Sequence, residues 1–414
     1  MYINKIRVII LYFFHLVDML LEVSFLGSIY VREKAFIKRR NAKWYKICGL
    51  KNNCEKDVNI INLQKEECTT IFEPSYFELS QQKEYIYNCP YIYIAKLYNV
   101  VCIGGSDLIL KENVLLFDEY DRNDTDRVYF KSGPIKKIRK NNYFMVETSN
   151  DIIEVEKAIN LCGFASTNYY HFTIEILSRI GYVDKYPEYD DYTILIDERS
   201  QNYLQMREML ETFCTNRNVQ LISEGQKVLV HHLVQPSKNT WLPLNLKKRN
   251  DARISDNLIA KSALDNIRSK VKPYFCEQGN EKIYLSRKNT NQRRIVNEDQ
   301  VIDLFKKAGF TIVYTENLNY FEQIKLFSSA KCIVGPTGAA LTNLVYCHSG
   351  TVVGCLIPKE YNFCIYSSIA HMLGCKCLFL DAKIVFRHFY IAGDKYRINI
   401  GQCKKYIEKL IQLC

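Results

Sequence analysis

The sequence predicts an α/β protein whose C-terminal third is a Rossmann-like, doubly wound domain. Between Lys282 and Asp381, five short apolar runs alternate with helical stretches. The runs are continuously apolar instead of alternating, the mark of parallel strands buried on both faces. The 414 residues are 48% hydrophobic and 24% charged, which excludes disorder, collagen and coiled coil and suggests two or three domains.

The chain begins with an apolar stretch at residues 6–31, interrupted by Asp18 and Glu22. A spanning helix needs ~20 uninterrupted apolar residues, so two central acids argue against one. The acids are four apart and share one helical face. Eight basic residues and one acid follow between Arg32 and Lys51. Residues 1–50 are therefore expected to form an amphipathic helix plus polybasic segment lying on an anionic membrane surface. A core helix and a single-pass anchor are the other readings.

From Asn53 to Lys140 short alternating runs predict strands and hairpins. Asp124-Thr-Asp126 has the spacing of a metal-holding carboxylate pair but sits in an ordinary polar turn. At Asn168 the texture turns helical, with His171, Ile174, Glu175 and Ser178 on one face. A His and an acid one turn apart are either a buried hydrogen-bonded pair or a catalytic carboxylate with its imidazole. Residues 192–197 and 227–236 read as strands around an amphipathic helix at 202–213. Residues 51–278 thus form one expected α/β domain, and 279–414 the next.

In that last domain the strands are 282–287, 310–315, 331–335, 351–358 and 375–381. Asn297 with Gln300, and Asn319 with Glu322, are capping-box patterns opening two helices. Gly335-Pro-Thr-Gly-Ala339 is a strand-to-helix turn of the kind that lets backbone approach a phosphate. It lacks the Walker lysine and is not GxGxxG. Arg287, Arg293 and Arg294 follow the first strand, and forked guanidiniums suit a diphosphate.

The net charge of +11 is concentrated in the Arg32–Lys51 window, which argues against a nucleic-acid-binding body. Sixteen cysteines without a CxxC fit a reduced, cytosolic setting better than a disulfide framework or a metal site. His231-His232 are neighbours on a strand and face opposite ways.

The string from Ser286 to Cys347, SRKNTNQRRIVNEDQ…GFTIVYTENLNYFEQ…GPTGAALTN, resembles the C-terminal signature of glycosyltransferase family 61, and NYYHFTIEILSRI resembles its upstream segment. The resemblance covers residues 160–375. It implies a GT-B-like fold, two Rossmann-like domains facing a cleft. It also implies inverting transfer from a nucleotide-sugar, a UDP-sugar most often, with no required metal or cofactor. Carried across, Glu175 and His171 become the catalytic pair. Arg287, Arg293, Arg294, Glu316, Gln323, Gly335, Thr337, Gly338, Ala339 and Asn343 become donor-binding. The family's turn usually has His where this chain has Thr337. Asp197 is the alternative base. The function expected is sugar transfer to a glycan or lipid-linked acceptor in surface polysaccharide or capsule assembly, on the cytoplasmic membrane face. The alternative is a non-catalytic glycan- or nucleotide-binding module.

Overall fold

The structure, a computed structural model, describes residues 41–414 apart from 51–57, 64–67, 80–82, 119–122, 129, 131–132, 140–142, 244–245, 249–250, 291 and 389–390. The expected amphipathic helix lies outside the described residues. The end of the basic window does not: Ala42–Gly49, carrying Lys43 and Lys46, is a sheet strand, and Lys43 Nζ donates to Asn113 Oδ1 at 2.9 Å. No helix among the described residues is long and apolar enough to cross a membrane.

The first half is built on an eleven-stranded mixed sheet. Four of its strands are parallel, ordered Val219–Ile222, Thr193–Asp197, Ile152–Asn160, Lys227–Pro236. In chain order this is three-two-one-four, half of a doubly wound sheet. Lys227–Pro236 then pairs antiparallel with Tyr93–Ile103, and the sheet runs on through mostly antiparallel pairs to Ile135–Arg139. A Rossmann-like arrangement is present in this half only as part of a larger sheet. Four strands of the first sheet follow it, and the seven others make that sheet mixed.

The second sheet has the five expected strands: β1 (Glu281–Leu285), β2 (Thr311–Val313), β3 (Ala330–Pro336), β4 (Val352–Ile357) and β5 (Lys376–Asp381). All are parallel, in spatial order β2-β1-β3-β4-β5. Ile283, Ile333, Val353 and Phe379 pack under helices Tyr320–Ser329 and Ile365–Met372. Tyr284, Cys332, Val352 and Leu380 pack under helices Glu298–Lys307 and Ile400–Leu413. Gly354 lets the last helix in, because a Cβ there would stand 2.4 Å from the Tyr406 hydroxyl.

Asn319 and Glu322 form the capping box the sequence predicts, with bonds of 2.8 Å in both directions. Asn297 does not. Its Oδ1 accepts from Ile398 N at 3.1 Å and its Nδ2 donates to Ile398 O at 2.9 Å. The amide is spent on the loop before the last helix, a partner that local spacing cannot reveal. One core cluster contains Phe172, Met209 and Leu264 together with Ile324, Leu344 and Ile365, so the two halves are packed against each other.

Candidate active site

The winding of the second sheet reverses between β1 and β3, where doubly wound folds bind ligands at the C-terminal strand ends. Gly335 is required there by close packing, since a Cβ would come within 2.8 Å of Leu285 Cβ. At Gly338 a Cβ would stand 1.7 Å from Arg287 Nη1, so the guanidinium lies directly on the glycine. The Gly338 φ of 172° is extended, and the glycine serves space instead of conformation.

Glu298 sets the path of the chain leaving β1. Its Oε1 accepts from Arg287 N at 2.8 Å and Ser286 Oγ at 3.1 Å. Arg287 Nη2 donates to Gln292 O at 3.1 Å. Burial, and then repulsion from Arg293, push the Arg287 pKa below the usual arginine value. The Nε atoms of Arg287 and Arg293 are both buried and without a hydrogen-bond partner. Two neighbouring guanidiniums with unfilled donors are a site for an anion with several oxygens. Arg294 is exposed and opens the short strand paired with Lys395.

Glu175 sits on an irregular helix: a π turn at His171–Ile176, a 3-10 turn at Leu177–Arg179, then α at Ile180–Val183. Such π turns recur at functional sites. His171 Nδ1 lies 2.7 Å from Glu175 Oε2, and this leaves Glu175 Oε1 buried and unpartnered. The Tyr170 hydroxyl is likewise buried and unpartnered, within electrostatic reach of Glu175 and Tyr366. Tyr366 Oη donates to Gly338 O at 2.6 Å and feels both Arg293 and Arg287. Burial holds both phenols neutral by raising their pKa. Glu175 and Tyr366 are thus both within electrostatic reach of Tyr170, and Tyr366 in turn is bonded to Gly338 and within electrostatic reach of Arg287. Arg179, 2% exposed, lies within electrostatic reach of Glu175. Tyr170, Tyr366 and Arg179 were not singled out from the sequence. Nothing in a tyrosine's spacing reveals that its hydroxyl will be left unpaired.

The other expected donor-site residues are placed differently. Asn343 and Gln323 are buried and bonded to each other, Nδ2 to Oε1 at 2.6 Å. Asn343 Oδ1 accepts from Tyr169 Oη at 2.6 Å, and Gln323 Nε2 donates to Thr315 O at 3.0 Å. They wire the turn to the helices beneath it. Asn343→Ala should cost about 1–3 kcal/mol of stability by stranding two buried partners. Nucleotide affinity measured well below the melting point should be little changed. Glu316 is exposed and accepts from Asn289 Nδ2 at 2.9 Å. Thr337 is buried, its N–H bonded to Leu356 O at 3.2 Å, and Ala339 opens the 3-10 helix.

The Asp124–Asp126 triplet is committed to structure. Asp124 and Asp256 clamp the Arg127 guanidinium from two sides. His231 bonds Glu154 at 2.7 Å and Asn99 at 2.8 Å, on the exposed sheet face. No group of three or more His, Cys, Asp or Glu side chains is arranged for a metal among the described residues.

Asp197 is a latch. Its Oδ2 accepts from Gly163 N at 3.0 Å and its Oδ1 from Gly105 N, so the carboxyl ties two loops together. Burial pushes its pKa up to about 6. A carboxyl with a folded pKa above its unfolded one weighs against the fold once charged. Its contribution therefore falls as pH rises from about 4 through 6. The stability advantage of wild type over Asp197→Asn should shrink by roughly 3 kcal/mol between pH 4 and 7 in denaturant titrations. A pH-independent difference would contradict this account.

No curated protein matches the chain. Residues 169–354 match the family model described as Glycosyltransferase 61. That segment holds the Tyr169–Arg179 helix, the half-buried Arg287 and Arg293 and the Gly335–Asn343 turn, and over it the chain is similar to glycosyltransferase family 61.

Proposed function

We propose that this chain is an inverting glycosyltransferase with a GT-B-type cleft. It would pass a sugar from a nucleotide-sugar, a UDP-sugar by preference, to a hydroxyl of a glycan or lipid-linked acceptor in surface polysaccharide assembly. One observation supports it above the others. Four buried polar atoms without partners, Glu175 Oε1, Tyr170 Oη, Arg287 Nε and Arg293 Nε, belong to residues linked by electrostatic reach through Tyr366. Leaving such atoms unmet costs about 1–3 kcal/mol each, and a bound donor and acceptor would meet them.

In this reading Glu175 Oε1 takes the proton of the acceptor hydroxyl as its oxygen attacks the anomeric carbon. His171, bonded to Oε2, fixes the carboxylate's orientation. The diphosphate leaves from the opposite face of the sugar, its growing charge met by Arg287 and Arg293. Single displacement inverts the anomeric centre. Of residues 1–50, the part that precedes strand Ala42–Gly49 would hold the enzyme on the cytoplasmic membrane face. No metal or further cofactor is required by this scheme.

The full chain should be melted with UDP, GDP, CMP and dTDP and their sugars, in Mg²⁺ and in EDTA. A ligand at ~100 times its Kd stabilises by ~2.7 kcal/mol. A shift with one nucleotide that Arg287→Ala abolishes, plus turnover with its sugar, is the expected result. A shift with no turnover on any acceptor would favour the binding-module reading, for which uncharged Thr337 in the turn is the specific support. No shift with any nucleotide in folded protein would sink the transferase reading and leave the non-catalytic glycan-binding module.

A further inference from the structure

The second half carries a small three-stranded sheet beside the Arg287–Arg293 turn. Its order is Arg294–Ile295, Lys395–Arg397, Lys383–Phe386. Alternation gives it two unlike faces. Ile295 and Tyr396 are register partners that point inward and join the core shared with the last helix. On the other face Arg294 is the partner of Lys395, and Arg397 of Lys383, and all four are exposed. Among the described residues no acid pairs with any of the four, whereas Arg387 just beyond them is ion-paired with Glu360. Apolar side chains stand beside these cations. The register shifts between Ile384 and Phe386, and this bulge turns Val385 and Phe386 to solvent in succession. Lys395 Nζ lies 5.7 Å from the Phe386 ring centroid, which keeps the ring on the basic face. Val296, Val385 and Phe386 are 42%, 48% and 44% exposed, so the face is apolar as well as basic.

We propose that this face docks on an anionic lipid bilayer. The four unneutralised cations meet lipid phosphates and acidic headgroups, and Phe386 with the two valines enters the headgroup boundary. A soluble polyanion would use the cations but leave the apolar side chains in water, so the bilayer is the occupant that fits both. The docking face stands independently of the transferase reading. Its consequence, which does rest on that reading, is positional. Arg293, next in the chain to Arg294, carries one of the unfilled guanidinium donors, and its N–H donates to Ala392 O at 2.9 Å in the turn joining the other two strands. Anion site and docking face thus share one short segment, and an acceptor held in the bilayer arrives beside the bound donor.

The test uses the full chain carrying Phe386→Trp, with the unsubstituted chain as the baseline for Trp44 and Trp241. The vesicles are phosphatidylcholine alone, or two parts phosphatidylcholine to one part phosphatidylglycerol, each with and without brominated acyl chains. The expected result is a blue-shifted, bromine-quenched emission from the introduced indole on the anionic vesicles only, reversed by high salt. Lys395→Glu with Arg397→Glu changes exposed residues, and should weaken binding to those vesicles by roughly 10-fold or more at an unchanged melting temperature. Should that pair fail to fold, the indole signal in the otherwise native chain still decides. An unmoved indole on vesicles with which the chain sediments would place the contact elsewhere and overturn the proposal. An equal response to neutral vesicles, or to soluble dextran sulfate in their place, would overturn it too. Nucleotide-induced melting shifts report on the transferase reading separately, so either can fail alone.

Discussion

Glu175→Gln should lower turnover by about 10³-fold while nucleotide binding and melting temperature stay near wild type. The exchange keeps size and shape, and the new amide can still accept from His171 Nδ1 in place of Oε2, 2.7 Å away in the wild type. What is lost is the ability of the free, buried Oε1 position to take a proton. A purely structural His171–Glu175 pair would give the opposite pattern, a lower melting temperature with turnover retained. The measurement is steady-state kinetics with the donor identified by melting, alongside calorimetric binding. Turnover within threefold of wild type would remove Glu175 from the mechanism and pass the role of base to the alternative, Asp197.

Gly338→Ala is the second large effect, and it acts at a distance of one methyl group. The backbone there is extended, so alanine is tolerated conformationally. Its Cβ would nevertheless fall 1.7 Å from Arg287 Nη1, and the guanidinium must move. Donor affinity should fall roughly 10²-fold, as for a lost charge-assisted bidentate contact of about 3 kcal/mol, while the melting temperature of the unliganded protein is nearly unchanged. Arg287→Ala should give a similar loss, and the double variant little more than either alone. Additive losses in the double variant would mean that Gly338 acts on the ligand independently of Arg287.

The comparison of sequence with structure follows the range of the interactions. The five strands of the second sheet and the Asn319–Glu322 cap were legible because apolar runs and capping boxes are local patterns. Strand Ile152–Asn160 was not. Its burial pattern is exposed or intermediate over its first six residues and buried only over its last three, so no apolar run marks it. Asn297 failed as a capping residue because its amide is taken by Ile398, 101 residues away.

The candidate site divides in the same way. Residue types and their order determined that a glycine turn, arginines after the first strand and a His–acid pair belong to one domain pair. Only the tertiary structure decided which of them carry unfilled bonding capacity. It spends Gln323 and Asn343 on each other, leaves Arg294 exposed and stacks Arg287 on Gly338. It also leaves Tyr170 and Glu175 with unmet polar atoms. The physical reason is that chain chemistry sets what each group can bond. Whether a partner has already been found depends on neighbours brought from tens to hundreds of residues away, and local sequence does not encode them.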